Sequence, residues 1–167
     1  MNENINIQAV PSFCLNHIQL DVLRLDELHP IVSGNKWFKL KYYLQQAQEQ
    51  NADRIASFGG PYSNHLVALA FAAKEYNLKS IGYVRSNEDE LITPTLQEAI
   101  HYGMDLKFLG RNNFQVFKNE LLQNNQRNGT YFVDEGGYGT LGAQGAATIL
   151  SNEKINNYSH IICAVGT

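Results

Sequence analysis

The chain has 167 residues, 44% of them hydrophobic and 11% aromatic, with a formal net charge of −3 at pH 7. That is enough apolar material for one core, or for a small domain plus part of another, and the mildly acidic balance excludes the basic footprint of a nucleic-acid binder. No run approaches the ~18 apolar residues of a membrane span, and the opening Met1-Asn2-Glu3-Asn4-Ile5-Asn6 lacks the basic start and apolar centre of a secretory signal, so a cytoplasmic protein is expected.

In chain order, hydrophobic patterning predicts strands near 18–25, 54–58, 80–84, 105–109, 131–133 and 160–165. Helical spacing separates them. Trp37, Leu40, Leu44 and Ala47 recur every three or four positions, as do Leu66, Leu69, Ala70, Ala73 and Tyr76. The second of these helices is rich enough in alanine to pack on more than one side. Further helices are expected near 95–102, 113–125 and 141–151. Strands alternating with helices are the pattern of an α/β fold with a parallel sheet. The last strand, His160-Ile161-Ile162-Cys163-Ala164-Val165, is continuously apolar and reads as buried on both faces, with Cys163 in the core.

Two segments carry chemistry. In the first, Lys36 follows a Gly34-Asn35 turn and opens a helix. An amine at a helix start that faces a cleft loses solvent, and a desolvated lysine can form a Schiff base. In the second, Ser57-Phe58-Gly59-Gly60-Pro61-Tyr62-Ser63-Asn64-His65 passes from a strand through a Gly-Gly turn to a Ser/Asn pair that opens the next helix. Unpaired N–H groups and the helix dipole favour an anion there. Together they suggest an aldehyde cofactor acting on a carboxylate substrate. The plainer readings are a solvated Lys36 and a Ser63-Asn64 pair that only caps its helix, an effect worth ~1 kcal/mol. Lys39 shares a helix face with Lys36 and can line a phosphate; Lys41 is expected in solvent.

Other chemistries are weakly signalled. The sequence around Ser63 lacks G-x-S-x-G, which argues against a serine hydrolase. The G-x-G-x-x-G of Gly137-Tyr138-Gly139-Thr140-Leu141-Gly142 does not open the first βαβ unit, where a dinucleotide fingerprint belongs. Cys14 and Cys163 form no C-x-x-C pair, and the five histidines lack ligand spacing, so no metal is expected.

These segments resemble the 1-aminocyclopropane-1-carboxylate deaminase and D-cysteine desulfhydrase family, pyridoxal-phosphate enzymes of the tryptophan synthase β type (fold type II). Beyond Gly34-Asn35-Lys36 and Gly59 to His65, the likeness takes in Val22 to Pro30, Thr93-Pro94-Thr95-Leu96, Asp134-Glu135-Gly136-Gly137 and Gly142-Ala143-Gln144-Gly145. It implies a three-layer αβα small domain over 48–138. The flanks, 1–47 with the cofactor lysine and 139–167, would be parts of a larger domain. It implies that Lys36 is the catalytic residue that binds pyridoxal 5′-phosphate, with Asn64 on the cofactor's 3′-oxygen. Ser63, also placed in the catalytic set, would hold the substrate carboxylate with Asn64 and His65. Tyr62 stands where many members have glutamine.

The same resemblance makes Val165-Gly166-Thr167 the start of the loop for the cofactor phosphate, and the chain is expected to be the amino-terminal part of an enzyme that is a homodimer when complete. The implied reaction converts 1-aminocyclopropane-1-carboxylate to 2-oxobutanoate and ammonia, or D-cysteine to pyruvate, sulfide and ammonia. The alternative is a catalytically silent fragment that needs a partner half.

Overall fold

The computed structural model describes residues 4–13, 18–87, 92–123, 126–151 and 153–163. Its main sheet contains β3 (Arg54–Gly59), β4 (Lys79–Arg85), β5 (Met104–Leu109), β6 (Gln126–Arg127) and β7 (Thr130–Phe132), in the order β5-β4-β3-β7-β6. The first four in that order run parallel, and β6 closes the edge antiparallel to β7 through Asn128-Gly129. A separate ladder pairs β1 (Asn6–Ala9) with β2 (Asp21–Arg24), antiparallel.

Among the described residues, five α-helices accompany the sheets: α1 (Lys36–Glu49), α2 (Asn64–Glu75), α3 (Pro94–His101), α4 (Arg111–Leu122) and α5 (Thr140–Ala147). Strand alternation sorts them into layers. On β3, Ile55 joins the core shared with α1, α2 and α3, whereas Ala56 and Phe58 join Phe114 of α4 on the opposite face. The expected three-layer α/β architecture is therefore present. Helix α2 is buried on most of its circumference, with Ala68, Ala70, Ala72 and Ala73 all inside. This follows from its place between the sheet on one side and α1 and α3 on the others.

Three expectations need correction. The described part of the predicted last strand, 160–163, is not in a sheet, and Ile162 is 87% exposed. Cys163 is exposed instead of in the core. An apolar β-branched run becomes a strand only where a neighbour offers a ladder, and this one lies beside the small β1–β2 ribbon, lining a cavity of about 140 Å³ with Leu20, Leu23 and Leu150. Residues 164–167, including the expected start of the phosphate loop, lie outside the described residues. Finally, Lys41 is buried, with 7% exposure. Its Nζ donates to Thr148 Oγ1 at 2.8 Å and lies near the Phe38 and Tyr42 rings. A lysine stem packs like an apolar chain when its ammonium finds partners, and here the turn after α5 supplies Thr148 while α1 itself supplies the two rings.

Candidate functional site

The site is built at the start of two helices. Gly34, with φ +64°, turns the chain into α1, and its N–H bonds the Leu25 carbonyl at 2.9 Å. Asn35 precedes the helix without capping it. Its side-chain oxygen instead accepts from Lys36 Nζ at 3.1 Å, which holds the amine at the helix entrance. Lys36 is half-buried, and its pKa lies below the ordinary 10.5, chiefly through burial and secondly through the charge of Lys39.

At the second helix, β3 ends in Gly59, where any Cβ would stand 2.6 Å from Ser63 Oγ. Only glycine lets Ser63 sit there. Ser63 Oγ then accepts from Leu66 N at 3.4 Å as the cap of α2. Helix geometry leaves the N–H groups of Asn64 and His65 without carbonyl partners inside α2. The turn is held from the side: Thr93 caps α3, accepting from Leu96 N at 3.2 Å, and its hydroxyl donates to the Pro61 carbonyl.

The two helix starts meet. Lys36, Asn35 and Ser33 share one cleft of about 360 Å³ with Asn64 and Val67 of α2 and Glu98 of α3. Ser63 is the adjoining cap and does not line this cleft. The His65 side chain does not line it; it is 4% exposed, with Nε2 at 2.9 Å from Ser57 Oγ. Burial pushes its pKa down to about 3, with the charges of Lys36 and Lys39 adding to the effect and Asp134 opposing it. Lys39 lines a different cavity of about 580 Å³ with Gly137, Gly139, Thr140 and Gly142, the glycine motif discounted above. Tyr62 is 76% exposed.

Sequence reasoning passed over Ser57 and Glu98. Ser57 carried a signal, since strand alternation from Ile55 puts it on the α2 face; Glu98 had none beyond its position one turn into the helix opened by Thr93-Pro94. Among the described residues, no cluster of three or more metal-ligating side chains forms, and no helix is long and apolar enough to cross a membrane.

No family model matches the chain. Among solved structures, a homologue of 1-aminocyclopropane-1-carboxylate deaminase superposes with a TM-score of 0.68 at 22% identity, over 89% of this chain and 48% of that one. A pyridoxal 5′-phosphate-dependent aspartate racemase gives 0.63 at 15% identity, over 90% and 46%. The fold is therefore that of the fold type II pyridoxal-phosphate enzymes, represented by about half of their chain.

In sequence, a Thermotoga maritima protein that bears the name 1-aminocyclopropane-1-carboxylate deaminase is 28% identical over 155 residues, covering 87% of this chain and 49% of its own length. The bifunctional D-cysteine desulfhydrase/1-aminocyclopropane-1-carboxylate deaminase of Arabidopsis thaliana is 28% identical over 152 residues, with 84% and 37% covered. The chain is a relative of this deaminase and desulfhydrase group, and it spans half or less of the length of these relatives.

Proposed function

We propose that this chain is the cofactor-lysine part of a cytoplasmic pyridoxal-phosphate-dependent deaminase or lyase acting on a small amino acid. The observation that carries the reading is the shared cleft of Lys36 and Asn64, an amine with a lowered pKa beside the start of a capped helix. These residues fit the cofactor: an amine that gives up its proton readily can hold an aldehyde covalently, and the Asn64 amide would donate to the cofactor's 3′-oxygen. When bound, pyridoxal phosphate supplies the electron sink for carbanion chemistry.

The chain's own groups divide the remaining work. Asn64 and Ser63 hold the substrate carboxylate, the Ser63 hydroxyl donating its proton outward while its oxygen caps α2. His65 contributes through its backbone N–H, because its ring is buried. With D-cysteine the Lys36 amine, as a base, takes the proton of the substrate α-carbon; 1-aminocyclopropane-1-carboxylate has no α-hydrogen, so there its ring opens through a nucleophile or base acting at the ring carbons. With D-cysteine and water the products are pyruvate, sulfide and ammonia; with 1-aminocyclopropane-1-carboxylate and water they are 2-oxobutanoate and ammonia. The names of the relatives support both and do not choose between them.

The packing of α5 on α1 supports reading 1–47 and 139–167 as parts of one larger domain beside a small domain at 48–138. A complete enzyme of this group would act as a homodimer. The half-length coverage of the relatives favours a second reading, that the 167-residue chain alone is catalytically silent. Titration with pyridoxal phosphate, followed by visible absorption, borohydride reduction and peptide mapping beside Lys36→Ala, tests the proposal. A saturable band mapped to Lys36 and lost in the variant is expected. Label spread over several lysines would overturn the assignment.

A further inference from the structure

Among the described residues, Lys36 is the one basic side chain lining the shared cleft and Glu98 the one acidic side chain. They do not neutralise each other. Glu98 forms no ion pair among the described residues, and its carboxylate accepts no hydrogen bond there. Lys36 Nζ is engaged instead by Asn35 Oδ1 at 3.1 Å. The cleft thus keeps an open carboxylate facing solvent and any small molecule that enters.

That carboxylate rides on a fixed element. Leu96 and Ala99, which bracket Glu98 in sequence, are buried in the core that α3 shares with α2. At the start of α3 the Thr93 hydroxyl donates to the Pro61 carbonyl, in the turn that leads to Ser63. Glu98 and the start of α2 are therefore held together by both packing and a hydrogen bond.

The two places have opposite electrostatics. The first N–H groups of α2 and the positive end of its dipole favour an anion. Glu98 favours a cation and repels a second anion. A free amino acid with an uncharged side chain carries one carboxylate and one ammonium on the same carbon, so it meets both preferences in a single pose. A plain carboxylic acid meets only the first, and a dicarboxylic amino acid brings a charge that Glu98 opposes.

We infer that Glu98 is a specificity-determining residue of this cleft: it receives the ammonium of the arriving amino acid while the start of α2 receives the carboxylate. The inference rests on the proposed function for its substrate class and adds the group that reads the amine. Both 1-aminocyclopropane-1-carboxylate and D-cysteine satisfy it, because each has an uncharged side chain.

The test compares 1-aminocyclopropane-1-carboxylate with cyclopropanecarboxylate, the same ring and carboxylate without the amine. Each is titrated into the ¹⁵N-labelled, cofactor-free chain at neutral pH while the amides of Asn64 to Leu66 are followed. The wild type is expected to favour the amino acid by about two- to fivefold, the span open to an exposed ion pair, and added salt should narrow the gap. Glu98→Gln should remove the preference by weakening the amino acid alone, and Glu98→Lys should reverse the order. Cyclopropanecarboxylate is the internal control: equal weakening of both ligands in Glu98→Gln would mean a structural role and overturn the assignment. A preference that survives in Glu98→Gln, or no binding of the amino acid at the start of α2, would overturn it too. Pyridoxal phosphate attachment at Lys36 is read separately. Its failure sinks the functional reading, whereas normal attachment without a charge preference in the cleft sinks only the role of Glu98.

Discussion

Gly145 lies against the carbonyl of Phe38, so close that a Cβ added to it would stand 1.8 Å from that oxygen. Helix α5 thus touches α1 backbone to backbone, two residues beyond Lys36. Gly142 makes the same kind of approach to the Gly137 carbonyl, at 1.9 Å. Backbone atoms cannot give way as a flexible side chain can, so Gly145→Ala must push α5 off α1. Overpacking of this kind costs about 1–3 kcal/mol. A urea-unfolding midpoint that falls accordingly is expected; an unchanged midpoint would mean that α5 does not hold α1.

Most of this arrangement was legible before any coordinates. The run of Trp37, Leu40, Leu44 and Ala47 specified α1 because all four are buried on one stripe, and the alternation of β3 specified two covered faces. The chemistry of Lys36 and of the Ser63-Asn64 turn suggests that they act together, but nothing in local spacing brings the starts of α1 and α2 into one cleft; the family resemblance adds that. Lys41 was misread because a charge in a helix is solvated by default, and its partner Thr148 is far away in sequence. The run at 160–163 was misread because strand propensity is a statement about neighbours, which a single segment does not contain. β1 was missed because Asn6-Ile7-Gln8-Ala9 is too short and polar to show a period of two against its flanks.

Thr93 does two jobs with one hydroxyl, capping α3 and donating to the Pro61 carbonyl. Thr93→Val keeps the shape and removes both. Loss of the cap alone costs ~1 kcal/mol, and loss of the second bond frees the Gly60-Pro61 turn that sets Ser63. Faster amide hydrogen exchange at Asn64 to Leu66 is expected in Thr93→Val, with Thr93→Ser close to wild type. If exchange quickens only in α3, the hydroxyl does not hold the turn.

Lys36 makes the folded chain bind fewer protons than the unfolded chain over part of the alkaline range. Its folded pKa is lowered below 10.5 by burial first and by Lys39 second. Between that lowered value and 10.5 the unfolded lysine is still protonated while the folded one is not, so stability contributed by this group rises with pH. Lys36→Met abolishes the contribution. Urea midpoints measured from neutral pH to about 10 should therefore climb more steeply, or fall less, in the wild type than in the variant. Parallel profiles would show that the amine is solvated after all.

His65 has the same sign in the acid range. Its folded pKa is pushed down to about 3, from 6.5 when exposed. As pH falls below 6.5, the unfolded ring takes up a proton that the buried ring refuses, so folding stability is lost progressively through that window and the loss is complete only near pH 3. Each proton so withheld steepens the fall by about 1.4 kcal/mol per pH unit. His65→Gln keeps a polar group toward Ser57 without a titrating ring, and its stability should decline less steeply between pH ~6.5 and ~4.5, above the range where most carboxylates titrate. The wild-type slope less the variant slope, taken from urea unfolding at matched ionic strength, should correspond to one proton. A difference near zero would require the ring to be protonated in the folded chain, which the burial of His65 opposes.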